Sequence, residues 1–137
     1  MHLCQSWRQS GTNTPVVQIE LKCTSNTGTS CPATASYQLR VSIRNGNGWM
    51  CSSWFTISDA PHALELDWRA STDTVNPNGG LTFWIDGAQQ ADITDIRNDQ
   101  RRIDSVRLGA IASVEGGTRD IYYFDAFESR RQTYIGP

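Results

Sequence analysis

The sequence predicts an all-β fold, a sandwich or barrel built from short antiparallel strands. Three observations carry this. Apolar and polar residues alternate with period two in run after run, the pattern of a strand with one buried face. Turn-forming residues break these runs at short, regular intervals. No stretch holds a helical period long enough to make a helix. At 137 residues the chain is the size of one domain with a substantial core.

The runs begin at Val17. Val17, Ile19, Leu21 and Cys23 alternate with Gln18, Glu20 and Lys22, and Tyr37, Leu39, Val41 and Ile43 alternate with Gln38, Arg40, Ser42 and Arg44. Asn45-Gly46-Asn47-Gly48 ends the second run with residues that accept positive φ, the chemistry of a hairpin turn. Residues 49–57 read as the next strand, and Asp59-Ala60-Pro61 as a turn. Leu64, Leu66 and Trp68 then alternate with Glu65, Asp67 and Arg69, and Asn76-Pro77-Asn78-Gly79-Gly80 is the strongest breaker in the chain. Leu81, Phe83 and Ile85 follow as an inward face, and Asp86-Gly87 turns the chain into a strand over 88–93. Residues 103–111 and 121–129 are the last two runs, separated by a turn over 115–118. The domain is assigned to 1–129 and a tail or linker to 130–137.

Four cysteines, an even number in a small chain, fit two disulfides and an oxidising compartment, with four reduced, half-buried thiols in a cytosolic protein as the alternative. None has the CxxC spacing of a zinc site. Cys23 and Cys31 flank a polar loop between two strands, and a bridge there would clamp a hairpin. Closing so short a loop is worth roughly 2.6 kcal/mol in chain entropy. Cys4 with Cys51 follows by elimination. Residues 1–8 contain no apolar signal core, so export would have to be directed from elsewhere.

Composition narrows the function. Twelve basic and fourteen acidic residues give a net charge of −2, which argues against nucleic acid as a partner. Mean hydropathy is −0.46, and no apolar run approaches the ~20 residues of a membrane-spanning helix. Neither His2 nor His62 lies in a recognisable nucleophile motif, and there is no phosphate loop or HExxH.

Four segments in order carry a resemblance: 64–68, the 81–87 hairpin ending in Asp86-Gly87, 102–109, and Tyr122-Tyr123-Phe124-Asp125. Together they resemble the concanavalin A-like superfamily, and within it the laminin-G-like modules of large secreted bacterial proteins. The resemblance implies an antiparallel two-sheet jelly-roll sandwich. It also implies a secreted or cell-surface, non-catalytic module that binds glycan or protein or acts as an extracellular spacer. Modules of this family open with a strand carrying Phe-Asp near Phe-Glu, which pairs with the terminal strand. Residues 124–128 match that terminal strand, but no matching opening strand precedes Cys4. The expectation is a module lacking its opening strand, with a sheet edge exposed to self-association.

Glu65 and Asp67, at i and i+2 of a strand, point the same way ~6.6 Å apart. The β-glucanases of the superfamily carry Glu-x-Asp followed by a third carboxylate, and here Arg69 and Ala70 stand in its place. A degenerate glycoside hydrolase is therefore the alternative, and a solvated face with Arg69 as charge partner the simpler reading. Trp84, outward beside Thr82 and Asp86 when Leu81, Phe83 and Ile85 face inward, suits the apolar face of a sugar ring; with the phase reversed it is a core residue. A structural Ca²⁺ is the one cofactor suggested. Asp92, Asp95, Asn98 and Asp99 crowd one loop with oxygen ligands, although turn chemistry also explains Asn98-Asp99. Asp125 matches a family position that often holds Ca²⁺.

Overall fold

The computed structural model describes residues 2–9, 14–25, 31–32, 34–46, 48–111 and 121–130. It contains β1 (His2–Gln9), β2 (Thr14–Cys23), β3 (Tyr37–Asn45), β4 (Gly48–Cys51), β5 (Phe55–Ile57), β6 (Leu64–Arg69), β7 (Gly79–Ile85), β8 (Ala88–Ile96) and β9 (Ser105–Arg107). No helix occurs among the described residues. One antiparallel sheet runs β4-β3-β2-β1-β9, with β5 also paired to β3, and a second runs β6-β7-β8. The all-β, two-sheet expectation holds at this level.

The alternating residues build one shared core. Val17, Ile19, Leu39, Val41 and Ile43 from the larger sheet meet Leu81, Phe83, Ile85 and Ile96 from the smaller. Phe55 leans on Phe83 with ring centroids 6.3 Å apart. Val16 is buried as well as Val17 because a register shift places it as an extra residue opposite Trp7 and Arg8, turning it out of phase. Asp86 and Gly87 both have positive φ, 53° and 77°, as a tight two-residue hairpin requires.

One end of the small sheet is closed by a buried polar knot. Ser71 N–H donates to Asn98 Oδ1 (2.7 Å), and Asn98 N–H donates to Ser71 Oγ (2.9 Å). Ser71 Oγ donates to the Ile96 carbonyl (2.6 Å), and Asn98 Nδ2 donates to the Arg69 carbonyl (3.1 Å). Gly79 makes room for it, since a Cβ there would stand 2.0 Å from Asn98 Oδ1. Asn98 is thus a structural residue whose side-chain oxygen is already engaged by Ser71.

Several expectations are corrected. A strand precedes Val17: β1 pairs along β2, and Trp7 and its neighbours reach β9. Its mixed sequence, His-Leu-Cys-Gln-Ser-Trp-Arg-Gln, lacks clean alternation. Residues 49–57 form two strands, because the chain leaves β3 after Cys51 and returns at Phe55. The 103–111 run is a strand only over Ser105–Arg107. Residues 121–129 form no strand, and Ile121 and Tyr123 are exposed. Consecutive aromatics without a partner ladder make no edge, so the edge expected to drive self-association is not formed. The turn over 115–118 and the tail over 131–137 lie outside the described residues.

The Cys23–Cys31 disulfide is present, with Cα atoms 5.6 Å apart. The Cys4–Cys51 bridge is not: Cys51 is a free, exposed thiol. Cys4 lies on β1 and Cys51 on β4, three strand spacings or ~14 Å apart, twice what a disulfide spans. Non-reducing peptide maps should therefore show Cys23 joined to Cys31 and Cys51 alkylated in the native state; a peptide linking Cys4 to Cys51 would contradict the sheet order. Asn98→Ala should lower stability by roughly 2–4 kcal/mol, because buried partners at Ser71 and Arg69 lose their bonds. A denaturation midpoint equal to that of the parent would show the knot to be dispensable.

Candidate functional site

The outer face of the small sheet follows from the core phase. Leu81, Phe83 and Ile85 turn inward, so Thr82 and Trp84 take the other side. Register sets Glu65 opposite Trp84 and Asp67 opposite Thr82 on one flank, with Gln89 opposite Trp84 and Asp92 opposite Thr82 on the other. Trp84 is half-buried, and Thr82 is covered by its neighbours. Arg69 Nη1 donates to Asp67 Oδ2 (2.6 Å), Thr82 Oγ1 donates to Asp92 Oδ1 (2.9 Å), and Arg69 Nη2 lies 3.7 Å from Asp92 Oδ1. The face is an indole strip beside a two-carboxylate, one-guanidinium network.

This brings together Glu65, Asp67, Thr82 and Trp84, four of the residues singled out from sequence. Arg69 is the charge partner of Asp67, and Asp92 joins the same network. Asp86 is drawn away from them. Its Oδ2 lies 2.6 Å from His62 Nδ1, and its Oδ1 accepts the Ala63 N–H at 2.9 Å. The His62 hydrogen bond, and secondly the Ala63 amide, hold its carboxyl below the usual carboxylate range.

On its other side His62 Nε2 lies 3.0 Å from Ser58 Oγ and 3.2 Å from the Ser58 carbonyl. Ser58, His62 and Asp86 therefore stand in a line that no local motif announces. The signal was available only through pairing: Leu64 opposite Ile85 sets Ala63 beside Asp86, one residue from His62.

Asp92 and Asp95 lie on β8, and only Asn98 and Asp99 belong to the loop after it, so the oxygen ligands expected together in one loop are not assembled there. Asn98 is in the knot, and no group of three His, Cys, Asp or Glu that could hold a metal occurs among the described residues. Asp125 lies in the irregular 121–130 segment, where its Oδ1 accepts the Ala126 N–H (2.8 Å). Asp73 is another acid held low, chiefly by the Asn76 amide N–H, within its own turn.

The larger sheet has a different outer face. Arg40 grips Glu20 Oε2 through Nε (3.1 Å) and Nη2 (2.7 Å), and Ser42 Oγ donates to Glu20 Oε1 (2.9 Å). Lys22 and Arg40 stack on Trp54, and Arg44 on Trp49. These tryptophans lie under cations. Trp68, half-buried, packs against the core from the smaller sheet.

Compared with family models, curated proteins and solved structures, the chain matches none.

The Asp86 clasp has a definite pH signature. A carboxyl whose pKa is depressed on folding contributes stability above its ordinary pKa, and that contribution is lost as pH falls through the folded value. Asp86→Asn should therefore be less stable than the parent at pH 6–7, with the gap closing on acidification below about pH 4. Urea denaturation at both ends of that range reads this; a gap independent of pH would show that the Asp86 charge does not contribute.

Proposed function

We propose that the protein is a laminin-G-like or lectin-like module of jelly-roll type that binds glycan on the outer face of β6–β7–β8. The observation that supports this most is Trp84, set on the solvent side of β7 between Glu65 and Gln89. A sugar presents an apolar ring face and a rim of hydroxyls. An indole matches the first, and Glu65, Gln89 and the Asp67–Arg69–Asp92 network offer acceptors and donors to the second.

The glycosidase alternative is weaker. Asp67 is neutralised by Arg69, and Arg69 stands where the β-glucanase pattern has a further carboxylate, so the acid–base pair needed for glycoside cleavage is incomplete. A secreted or cell-surface setting is proposed with this reading, supported by the Cys23–Cys31 bridge. No helix among the described residues is long and apolar enough to cross a membrane.

Trp84→Ala should abolish retardation in affinity gels cast with soluble polysaccharides while costing well under the ~3–5 kcal/mol of a fully buried tryptophan. Retention unchanged by the substitution, or no retention by any glycan tested, would overturn the proposal.

A further inference from the structure

We propose that Ser58, His62 and Asp86 form an acyl-transfer centre that hydrolyses small acyl esters, with an ester-bearing glycan on the adjacent β6–β7 face as its substrate class. The chemistry goes beyond the binding role proposed above; the choice of glycan as carrier rests on it.

The geometry has the parts that a hydroxyl nucleophile needs. Ser58 Oγ is 3.0 Å from His62 Nε2, within reach for proton transfer to a general base. His62 Nδ1 is 2.6 Å from Asp86 Oδ2, so the carboxylate keeps the ring proton on Nδ1 and leaves the Nε2 lone pair toward the serine. Asp86 is itself fixed: its Oδ1 accepts the Ala63 N–H, its own N–H donates to the Ala63 carbonyl (2.8 Å), and the left-handed hairpin sets its backbone. It is a positioning residue, acting through His62. The Ser58 carbonyl, 3.2 Å from Nε2, is idle while the imidazole is neutral and accepts the proton's hydrogen bond once His62 is charged.

The reaction balances with water as the sole co-reactant. Ser58 Oγ bonds to the ester carbonyl carbon as its proton passes to His62 Nε2. The tetrahedral intermediate collapses, the C–O bond to the alcohol breaks, and His62 protonates the leaving oxygen. Water, deprotonated by His62, then releases the acid and regenerates Ser58 Oγ–H. The Asp59 N–H, directly after the nucleophile, sits at the chain position from which such sites draw an oxyanion donor.

The location sets the substrate class. Asp86 follows Trp84 by two residues and Ala63 precedes Glu65 by two, so the centre lies at the end of the indole strip. The Asp86 side chain is 51% exposed. An open centre of this kind meets an acyl group presented on an extended chain, and water screening keeps turnover modest.

A fluorophosphonate probe tests the chemistry with no glycan present. Mass mapping should place the label on Ser58 in preference to Ser53, an exposed serine, and Ser52, whose hydroxyl is bonded to the Val41 N–H and the Ser53 carbonyl rather than to a histidine. Ser58→Ala should abolish labelling and hydrolysis of p-nitrophenyl acetate, and His62→Gln should slow labelling by ~100-fold or more. A purely structural clasp would give no selective label. Folded parent protein that leaves Ser58 unlabelled, or labels it no faster than Ser52 and Ser53, overturns the proposal even if His62→Gln does not fold. Such a failure leaves glycan retention through Trp84 standing, and loss of retention leaves the labelling result standing.

Discussion

The reciprocal bonding of Ser71 and Asn98 is the constraint on which the small sheet depends. Both side chains are almost wholly buried, at 5% and 2% exposure, so each polar atom has to find a partner inside the protein. Together they pin the end of β6, through Arg69 and Ser71, to the end of β8, through Ile96. β7 passes between them, and its glycines 79 and 80 let neighbouring backbone and the Asn98 amide come close. With both flanking strands held at that end, the register of β7 is set, and a one-residue slip would exchange Phe83 for Trp84 in the core. The indole strip is thus a consequence of a hydrogen-bonded knot at the far end of its own strand.

The two outer faces solve the problem of exposed sheet in different ways. On the larger sheet, Lys22, Arg40 and Arg44 lay their side chains over Trp54 and Trp49, and Glu20 neutralises Arg40 from below. The cations there cover apolar surface as much as they offer charge. On the smaller sheet, charge is gathered into the Asp67–Arg69–Thr82–Asp92 network beside Trp84. The pattern concentrates chemistry on one side of the molecule, and the hairpin turn that carries Asp86 extends it toward Ser58.

The fold class was legible because burial on one face writes alternation directly into residues 17–23, 37–44 and 81–85. The Cys23–Cys31 bridge was legible because it is local, whereas alternation over 81–85 showed only that Phe83 and Trp84 take opposite sides, and burial of Phe83 decides which. What failed was non-local. β1 is a strand because β2 and β9 offer it ladders, which no pattern within His2–Gln9 reveals. Residues 121–129 have the aromatic content of a strand but form no ladder with the other described residues. Asn98 looked like an ion ligand because its burial against Ser71, 27 positions away, is a fact of packing. Ser58, His62 and Asp86 meet only because a hairpin returns the chain beside the 58–63 crossover.

The ladder between β1 and β9 is the long-range seam of the fold. β2, β3, β4 and β5 pair within one stretch of chain, and β6, β7 and β8 within another, so each group closes small loops. β9 joins them by pairing Ser6 with Arg107, Trp7 with Val106 and Arg8 with Ser105, across about a hundred residues of intervening chain. Among the ladders of the described residues it closes the longest loop, and it is three residue pairs long. Such a ladder has long-loop entropy against it and few pairs to offset it, and it shares no residue with the Ser71–Asn98 knot or the β6–β7 face.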